Sequence, residues 1–377
     1  MIRVYTQPER GQRWLEKYRG TQPAFACVFG FTETALLAKI SAAGRTPADR
    51  RKTALADAEY LLEGEKVNPR FPLPPLAAGA SPAVISRAVV RGLPLPMLVF
   101  DGGLPEPLPT SNDKEAIALG GQVARCVTTG QALDRSVVEH LFEEGLKWGD
   151  RLSERGDYLA IGECVVGGTT TALSVLLGLG FDAEGLVNSS YPQCNHDLKR
   201  EVVQKGLQRW RERMATPSQA SAMSVVAAVG DPMQIVVAGM AIALSRRGGV
   251  LLAGGTQMLA VYALARALVR ERGMEWCDDR VVVGTTRWVA EDPTGSTVAL
   301  AKLVGEVPLL ATQLNLSASV YPQLQAYERG FVKEGVGAGG CAIAASLSGW
   351  TQERLREEID ATFARLERSQ SFAKAPP

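Results

Sequence analysis

Apolar positions along the chain fall into two rhythms. Short runs that are apolar at nearly every position occur at 24–29, 96–100, 158–161, 186–189, 250–253 and 280–284. Such runs read as strands, and those without apolar–polar alternation fit a sheet covered on both faces. Between them lie longer stretches with the helical period, at 47–62, 134–151, 197–213, 232–244 and 257–270. This alternation predicts an α/β fold, a Rossmann-like, doubly wound and mostly parallel sheet. The ends differ in character. Residues 1–20 read as a polar helix carrying Arg10, Arg13, Glu16, Lys17 and Arg19, and 351–368 as a charged amphipathic one. A main domain over 21–350 is therefore expected, with 1–20 and 351–377 forming a small helical subdomain or a dimer contact. The segment 68–82, rich in Pro, Ala and Gly, is expected to run over the surface, and the tail after Ser369 to fray.

Composition narrows the function classes. The 377 residues carry 41 Lys and Arg against 40 Asp and Glu, so the molecule has almost no net field with which to attract a polyanion. No basic stripe with interleaved aromatics is present, and nucleic-acid binding is not expected. The uncharged run at 164–181 has a length close to that of a membrane span, but its glycines and threonines suit a strand, turn and helix start instead. No membrane association is expected. Six scattered cysteines without a Cys-x-x-Cys pair, and two distant histidines, predict a reducing, cytoplasmic compartment with neither disulfides nor a metal site.

In a parallel sheet the ligand sits beyond the carboxyl ends of the strands, so glycines and hydroxyls just after strands are the candidates. Residues 161–171 run from a strand through Gly167 and Gly168 into Thr169, Thr170 and Thr171. Backbone N–H groups at that helix start suit a phosphate, although threonine caps alone would account for the pattern. No Gly-Lys-Thr follows, which argues against nucleotide triphosphate hydrolysis. Gly254-Gly255-Thr256 repeats the logic after another strand, with a packing turn as the plain alternative. Glu334 stands alone among Gly335, Gly337, Gly339 and Gly340 before an apolar helix. Poor hydration there would raise its pKa and suit a proton acceptor, while a carboxylate at a helix start also has a purely structural use. Ser41-Ala42-Ala43-Gly44 could line a flat slot for an aromatic ring, or simply pack closely.

Taken in order, these segments resemble the nicotinate-nucleotide:dimethylbenzimidazole phosphoribosyltransferase family, in its archaeal and cyanobacterial branch. The similarity runs from about residue 24 to residue 348. It rests on Ile40 to Gly44, Gly162-Glu163, Gly167 to Thr171, Asp197-Leu198-Lys199, Gly230 to Met233, Gly254 to Met258 and Glu334 to Ala338. The resemblance implies a homodimer that transfers ribose 5-phosphate from nicotinate mononucleotide to a lower-ligand base of cobalamin, with no cofactor or metal. It implies catalytic roles for Glu334, Glu163 and Lys199, and ribose-phosphate contacts from Gly167, Gly168, Thr169, Thr170, Gly254, Gly255 and Thr256. The base would meet Ser41, Ala42, Gly335 and Gly337. Departures fall at Ala38-Lys39, where the branch has Pro-Gly, and at Val166, where it tends to have proline. Against the bacterial enzymes, Val165 and Lys333 stand at glycines and Val336 at a hydroxyl residue.

The implied chemistry is self-consistent. The leaving pyridinium departs as neutral-ring nicotinate without a general acid, so the demanding step is removal of the acceptor's N–H proton. Two other readings stay open at this point: a non-catalytic nucleotide-binding relative, and a different α/β enzyme such as a dinucleotide oxidoreductase. Against the latter, Phe29-Gly30-Phe31-Thr32-Glu33-Thr34 follows the first strand where a Gly-x-Gly-x-x-Gly would be needed.

Overall fold

The structure is a computed structural model that describes all positions except 75, 77, 110–115, 215–219 and 375–377. Among the described residues one eight-stranded sheet forms, from β1 (Ile2–Val4), β2 (Pro23–Phe29), β3 (Met97–Asp101), β4 (Ala116–Ala118), β5 (Tyr158–Cys164), β6 (Gly249–Ala253), β7 (Val281–Thr286) and β8 (Leu309–Thr312). Their spatial order is β1-β8-β7-β6-β5-β2-β3-β4, and every pairing is parallel except β1 with β8. The helices in chain order are α1 (Pro8–Tyr18), α2 (Pro47–Glu63), α3 (Ala83–Gly92), α4 (Arg135–Leu152), α5 (Gly168–Gly178), α6 (His196–Arg213) and α7 (Ala222–Val229). They continue with α8 (Pro232–Ser245), α9 (Thr256–Arg272), α10 (Arg287–Ala290), α11 (Thr297–Leu303), α12 (Pro322–Gln325), α13 (Ala338–Leu347) and α14 (Gln352–Lys374).

Strand side chains alternate between two apolar clusters. Ala24, Ala26 and Val28 of β2, with Leu159 and Ile161 of β5, join the layer of α4 to α9. Phe25, Cys27 and Phe29, with Tyr158 and Ala160, join the layer of α1, α2, α3, α13 and α14. Both faces are thus apolar, which is why the strands read as continuous runs. Burying each fully covered Phe of β2 contributes about 2–3 kcal/mol. Local signals set the helix starts. Thr46 and Asp49 form a reciprocal capping box around Pro47, and Asp231 and Gln234 do the same around Pro232. The apolar run at 164–181 is the end of β5, a turn and α5, and no helix among the described residues is long and apolar enough to cross a membrane.

Five of the six expected strands form. The run 186–189 does not, because its backbone is held by side chains rather than a ladder. The Asn188 N–H donates to Thr256 Oγ1, and the Asn188 carbonyl accepts from Lys199 Nζ. The expected helix over 1–20 begins only at Pro8. Ile2–Val4 pairs with β8, a long-range partner that a local pattern does not reveal. Strands β4 and β8 are too short to stand out in the sequence. The segment 68–82 is not wholly superficial, since Phe71 and Ala80 are buried and its apolar side chains wall a cleft. Helix α14 continues past Ser369 to Lys374, while the last three residues of the tail lie outside the described set.

Candidate active site

Chain order reverses between β2 and β5. From β2 the strands advance outward through β3 and β4, and from β5 in the opposite direction through β6, β7 and β8. Beyond the carboxyl ends of such a pair the two following connections diverge and leave a crevice. A cleft of about 880 Å³ opens there. Its walls include the 41–43 loop, the end of β5 with the start of α5, the segment 188–192, the start of α9 and the 331–336 loop.

Two carboxylates face each other across this point. Glu163, next to last in β5, is 2% exposed, and its Oε2 accepts from Gln257 Nε2 at 2.6 Å. Burial pushes its carboxyl up to about 8, with the nearby Glu334 and Asp231 carboxylates adding to the effect. Glu334 is partly open to the cleft and is firmly held. Its Oε2 accepts from Thr285 Oγ1 at 2.8 Å and from the Thr286 N–H at 2.9 Å. Its Oε1 accepts from the N–H groups of Gly339 and Gly335 at 3.0 and 3.2 Å. Burial also raises Glu334, against the pull of these four donors, which favour the anion. Burial thus raises both carboxyls, opposed at Glu334 by four donors and at Glu163 by the Gln257 side chain and the Val165 N–H among the described residues.

The loop carrying Glu334 is seated by close backbone contact. The Val336 N–H donates to the Glu163 carbonyl at 2.8 Å, tying the loop to β5. A methyl group added at Gly162 would lie 3.0 Å from the Gly337 Cα, so the glycine pair permits the approach. Val332, Lys333 and Val336 all have positive φ, of 68°, 67° and 54°. Left-handed backbone at a branched residue is sterically costly, and here it is concentrated around one cleft-facing carboxylate. Lys39, exposed beside the 41–43 loop, also has a φ of 59°. Lys39 and Lys333 are two of the positions at which the family resemblance places glycine. The left-handed conformation is kept without the residue that makes it easy.

The other half of the cleft suits an anion. Helix α5 is preceded by Gly167 as its N-cap, with a φ of 82°, and presents Gly167, Gly168 and Thr169 to the cavity. The positive end of its dipole points there. Gly168 also leaves room for Gln257, whose side-chain oxygen would lie 1.7 Å from an added methyl. Opposite, Lys333 pairs with Asp292 at 2.5 Å, both side chains being 2% exposed. Asp292 Oδ2 also accepts from Asn188 Nδ2 at 3.0 Å, and Asn188 Oδ1 accepts from Thr256 Oγ1 at 3.0 Å. Lys199 lies behind this wall, fully buried, and its Nζ donates to the Asn188 carbonyl. Burial lowers its ammonium to about 7, with Lys333 contributing.

The structure therefore brings Glu163, Glu334, Gly335, Ser41, Ala42, Gly167, Gly168, Thr169, Gly255 and Thr256 to one cavity. Four residues expected at the site do not line it. Lys199 reaches only Asn188, because α6 buries it against the 188–192 segment. Thr170 is fully buried in the first turn of α5, Gly254 packs against Met258 and Glu163, and Gly337 packs on β5. Asn188, Asp292, Thr285 and Asp57 were not legible as site residues. Their only signals are polar residues in a segment that otherwise reads as strand or helix. Among the described residues no group of three or more His, Cys, Asp or Glu is placed to hold a metal ion.

A family model described as a phosphoribosyltransferase, DBI_PRT, matches residues 78–315. The UPF0284 protein of Cyanothece sp. (strain PCC 7425) is 60% identical over 362 residues, covering 96% of each chain. That of Microcystis aeruginosa is 58% identical over 361 residues, covering 96% of this chain and 98% of the relative. Among solved structures, the nicotinate-nucleotide-dimethylbenzimidazole phosphoribosyltransferase from Thermus thermophilus aligns with a TM-score of 0.59 at 17% identity, covering 95% of this chain and 92% of that one. At that identity the likeness concerns the fold, and it agrees with the mostly parallel, doubly wound sheet. Together with the match over 78–315, it follows that the chain belongs to the DBI_PRT phosphoribosyltransferase family.

Proposed function

We propose that this protein transfers ribose 5-phosphate from nicotinate mononucleotide to the ring nitrogen of an azole base, releasing nicotinate. The observation that carries the reading is the meeting of Glu163 and Glu334 at the strand switch point, beside an open helix N-terminus. The 5′-phosphate would sit at the start of α5, held by the N–H groups there and the positive end of the helix dipole. One azole nitrogen attacks C1′ from the face opposite the pyridinium. The C1′–N bond breaks, its electron pair neutralises the departing ring, and the product is the α-ribotide. The azole N–H proton passes to Glu334, whose anionic form four donors favour against the effect of burial. General-base help of this kind contributes about 10²–10⁴-fold, and holding the reactants in line supplies much of the rest. Protonated Glu163 would offer a hydrogen-bond donor to the ribose. The protein would work as a homodimer, as the family resemblance implies.

A specific observation favours a second assignment of the proton. Each Glu334 oxygen already accepts two hydrogen bonds, whereas among the described residues Glu163 accepts from the Gln257 side chain and the Val165 N–H. In that version Glu163 is the acceptor and Glu334 positions the loop. One experiment separates the two. Nicotinate release is measured by chromatography with a panel of azoles, alongside calorimetric binding of nicotinate mononucleotide. Glu334→Gln is expected to lose at least 100-fold in turnover while binding the nucleotide within a few-fold of wild type. The same loss in Glu163→Gln alone would reassign the base, and no release by the wild type with any azole would leave a nucleotide-binding relative without this chemistry.

A further inference from the structure

Arg50 is a cation that the fold buries without a counter-ion. It lies in the first turn of α2 and is 4% exposed. Its Nε donates to the Ala35 carbonyl at 2.6 Å, its Nη2 to that of Leu37 at 3.2 Å and its Nη1 to that of Gly44 at 3.5 Å. Among the described residues no carboxylate oxygen lies within 4.0 Å of its guanidinium nitrogens. The adjacent Asp49 is turned to the Thr46 N–H, where it closes the capping box of α2. Carbonyl oxygens satisfy the hydrogen bonds of a guanidinium but leave its full charge uncompensated. Burying such a charge is costly unless an anion comes close.

The groups that Arg50 holds fix where its charge stands. Ala35 packs on Gly167, the N-cap of α5, and a methyl added at Gly167 would lie 3.3 Å from the Ala35 nitrogen. Gly44 presses the 41–43 loop against α2, since a methyl there would lie 2.9 Å from Arg50 Cγ. Three residues further along α2, Thr53 Oγ1 donates to the Ala43 carbonyl at 2.8 Å. Ala43, Thr53, Gly167 and Gly168 all line the cleft. Arg50 therefore stands directly behind the wall shared by the 41–43 loop and the start of α5, where its field adds to the helix dipole. The lysines along the cleft differ from it. Lys66 is paired with Glu59 and Glu63, Lys333 is paired with Asp292, and Lys52 is exposed and screened by water and salt.

Building on the placement of the 5′-phosphate in the transfer reading above, we propose that Arg50 supplies the compensating charge for that phosphate from behind the wall, and so makes the site select a phosphorylated donor over the corresponding riboside. The benefit is mutual. The phosphate offsets the cost of the buried guanidinium, and the guanidinium acts through an interior that screens charge weakly. No hydrogen bond between the two is needed, because the fork is used to hold the carbonyls of Ala35, Leu37 and Gly44.

Calorimetric binding of nicotinate mononucleotide and of nicotinate riboside to the purified protein reads this selectivity. A unit charge one layer behind a phosphate, at an effective dielectric constant of about 20, changes affinity on the order of 10- to 100-fold. Arg50→Gln, whose amide can still donate to a carbonyl, should lose that much for the nucleotide and stay within a few-fold of wild type for the riboside. Arg50→Lys keeps the charge and should keep the nucleotide-over-riboside ratio within a few-fold of wild type. Equal losses for both ligands in Arg50→Gln, or collapse of the ratio in Arg50→Lys, would make Arg50 a structural residue only and overturn the inference. The lysine variant decides the matter if the glutamine variant does not fold. Wild-type protein that binds the two ligands equally overturns the inference by itself. Nicotinate release by the wild type is measured separately, so the transfer reading stands or falls on its own.

Discussion

Glu163→Gln tests the central electrostatic feature of the site without requiring any substrate. The Glu163 carboxyl is raised from 4.5 to about 8, mainly by burial. Below pH 4.5 both the folded and unfolded chains carry this proton, and the group does not bear on stability. Between 4.5 and about 8 the unfolded chain releases the proton while the fold retains it, so stability falls as pH rises through that window. At about 1.4 kcal/mol per pH unit the full interval amounts to about 5 kcal/mol by pH 8. Glutamine keeps the shape, can still accept from Gln257 Nε2, and has no proton to lose. Other buried acids, Asp57 and Asp231 among them, titrate in both proteins and cancel in the comparison. The two proteins should melt together near pH 5 and diverge with pH. For a chain of this length about 5 kcal/mol corresponds to a Tm gain of roughly 6 °C for the variant at pH 8. Thermal unfolding followed by circular dichroism from pH 5 to 9 measures it. Parallel Tm profiles across that range would refute the claim that Glu163 is held protonated, and with it the division of labour between the two carboxylates.

Two further expectations concern the loop and its neighbours. Lys333→Met should cost about 3–5 kcal/mol, because it strands the buried Asp292 charge, and adding Asp292→Asn should recover most of that in urea melts. Lys39→Gly should stabilise the protein by about 0.5–1 kcal/mol, since the relief of a left-handed lysine outweighs the greater freedom of glycine in the unfolded chain, and a destabilised variant would show that the Lys39 side chain does more than occupy its position.

Lys39 and Lys333, which stand where the resemblance leads one to expect glycine, show how local and tertiary constraints divide. At Lys39 and Lys333 the sequence alone suggests an altered loop, yet the backbone retains the conformation for which glycine is suited. The loop is held there from outside, by the Val336 link to β5 and by the Glu334 hydrogen bonds to β7 and α13. The same separation runs through the site. The glycine–threonine turn after β5 and the lone Glu334 were legible, because strand-end glycines and an isolated charge are local features. Asp57, Asn188 and Asp292 were not, because each sits in a segment whose pattern says only helix, strand or turn.

What the sequence by itself determined is the α/β class, five strands, the main helices, and the likeness to a phosphoribosyltransferase family. These follow from periodicity and short motifs, which act between residues close in the chain. The tertiary structure decided where β1 and β8 pair and why 186–189 is not a strand. It also decided that Lys199 stands behind the cleft wall rather than in it. These depend on partners tens to hundreds of residues away, whose hydrogen bonds and burial no local pattern encodes. The different surroundings of Glu163 and Glu334 have the same origin: burial raises both carboxyls, and the donors that the fold brings to each distinguish them.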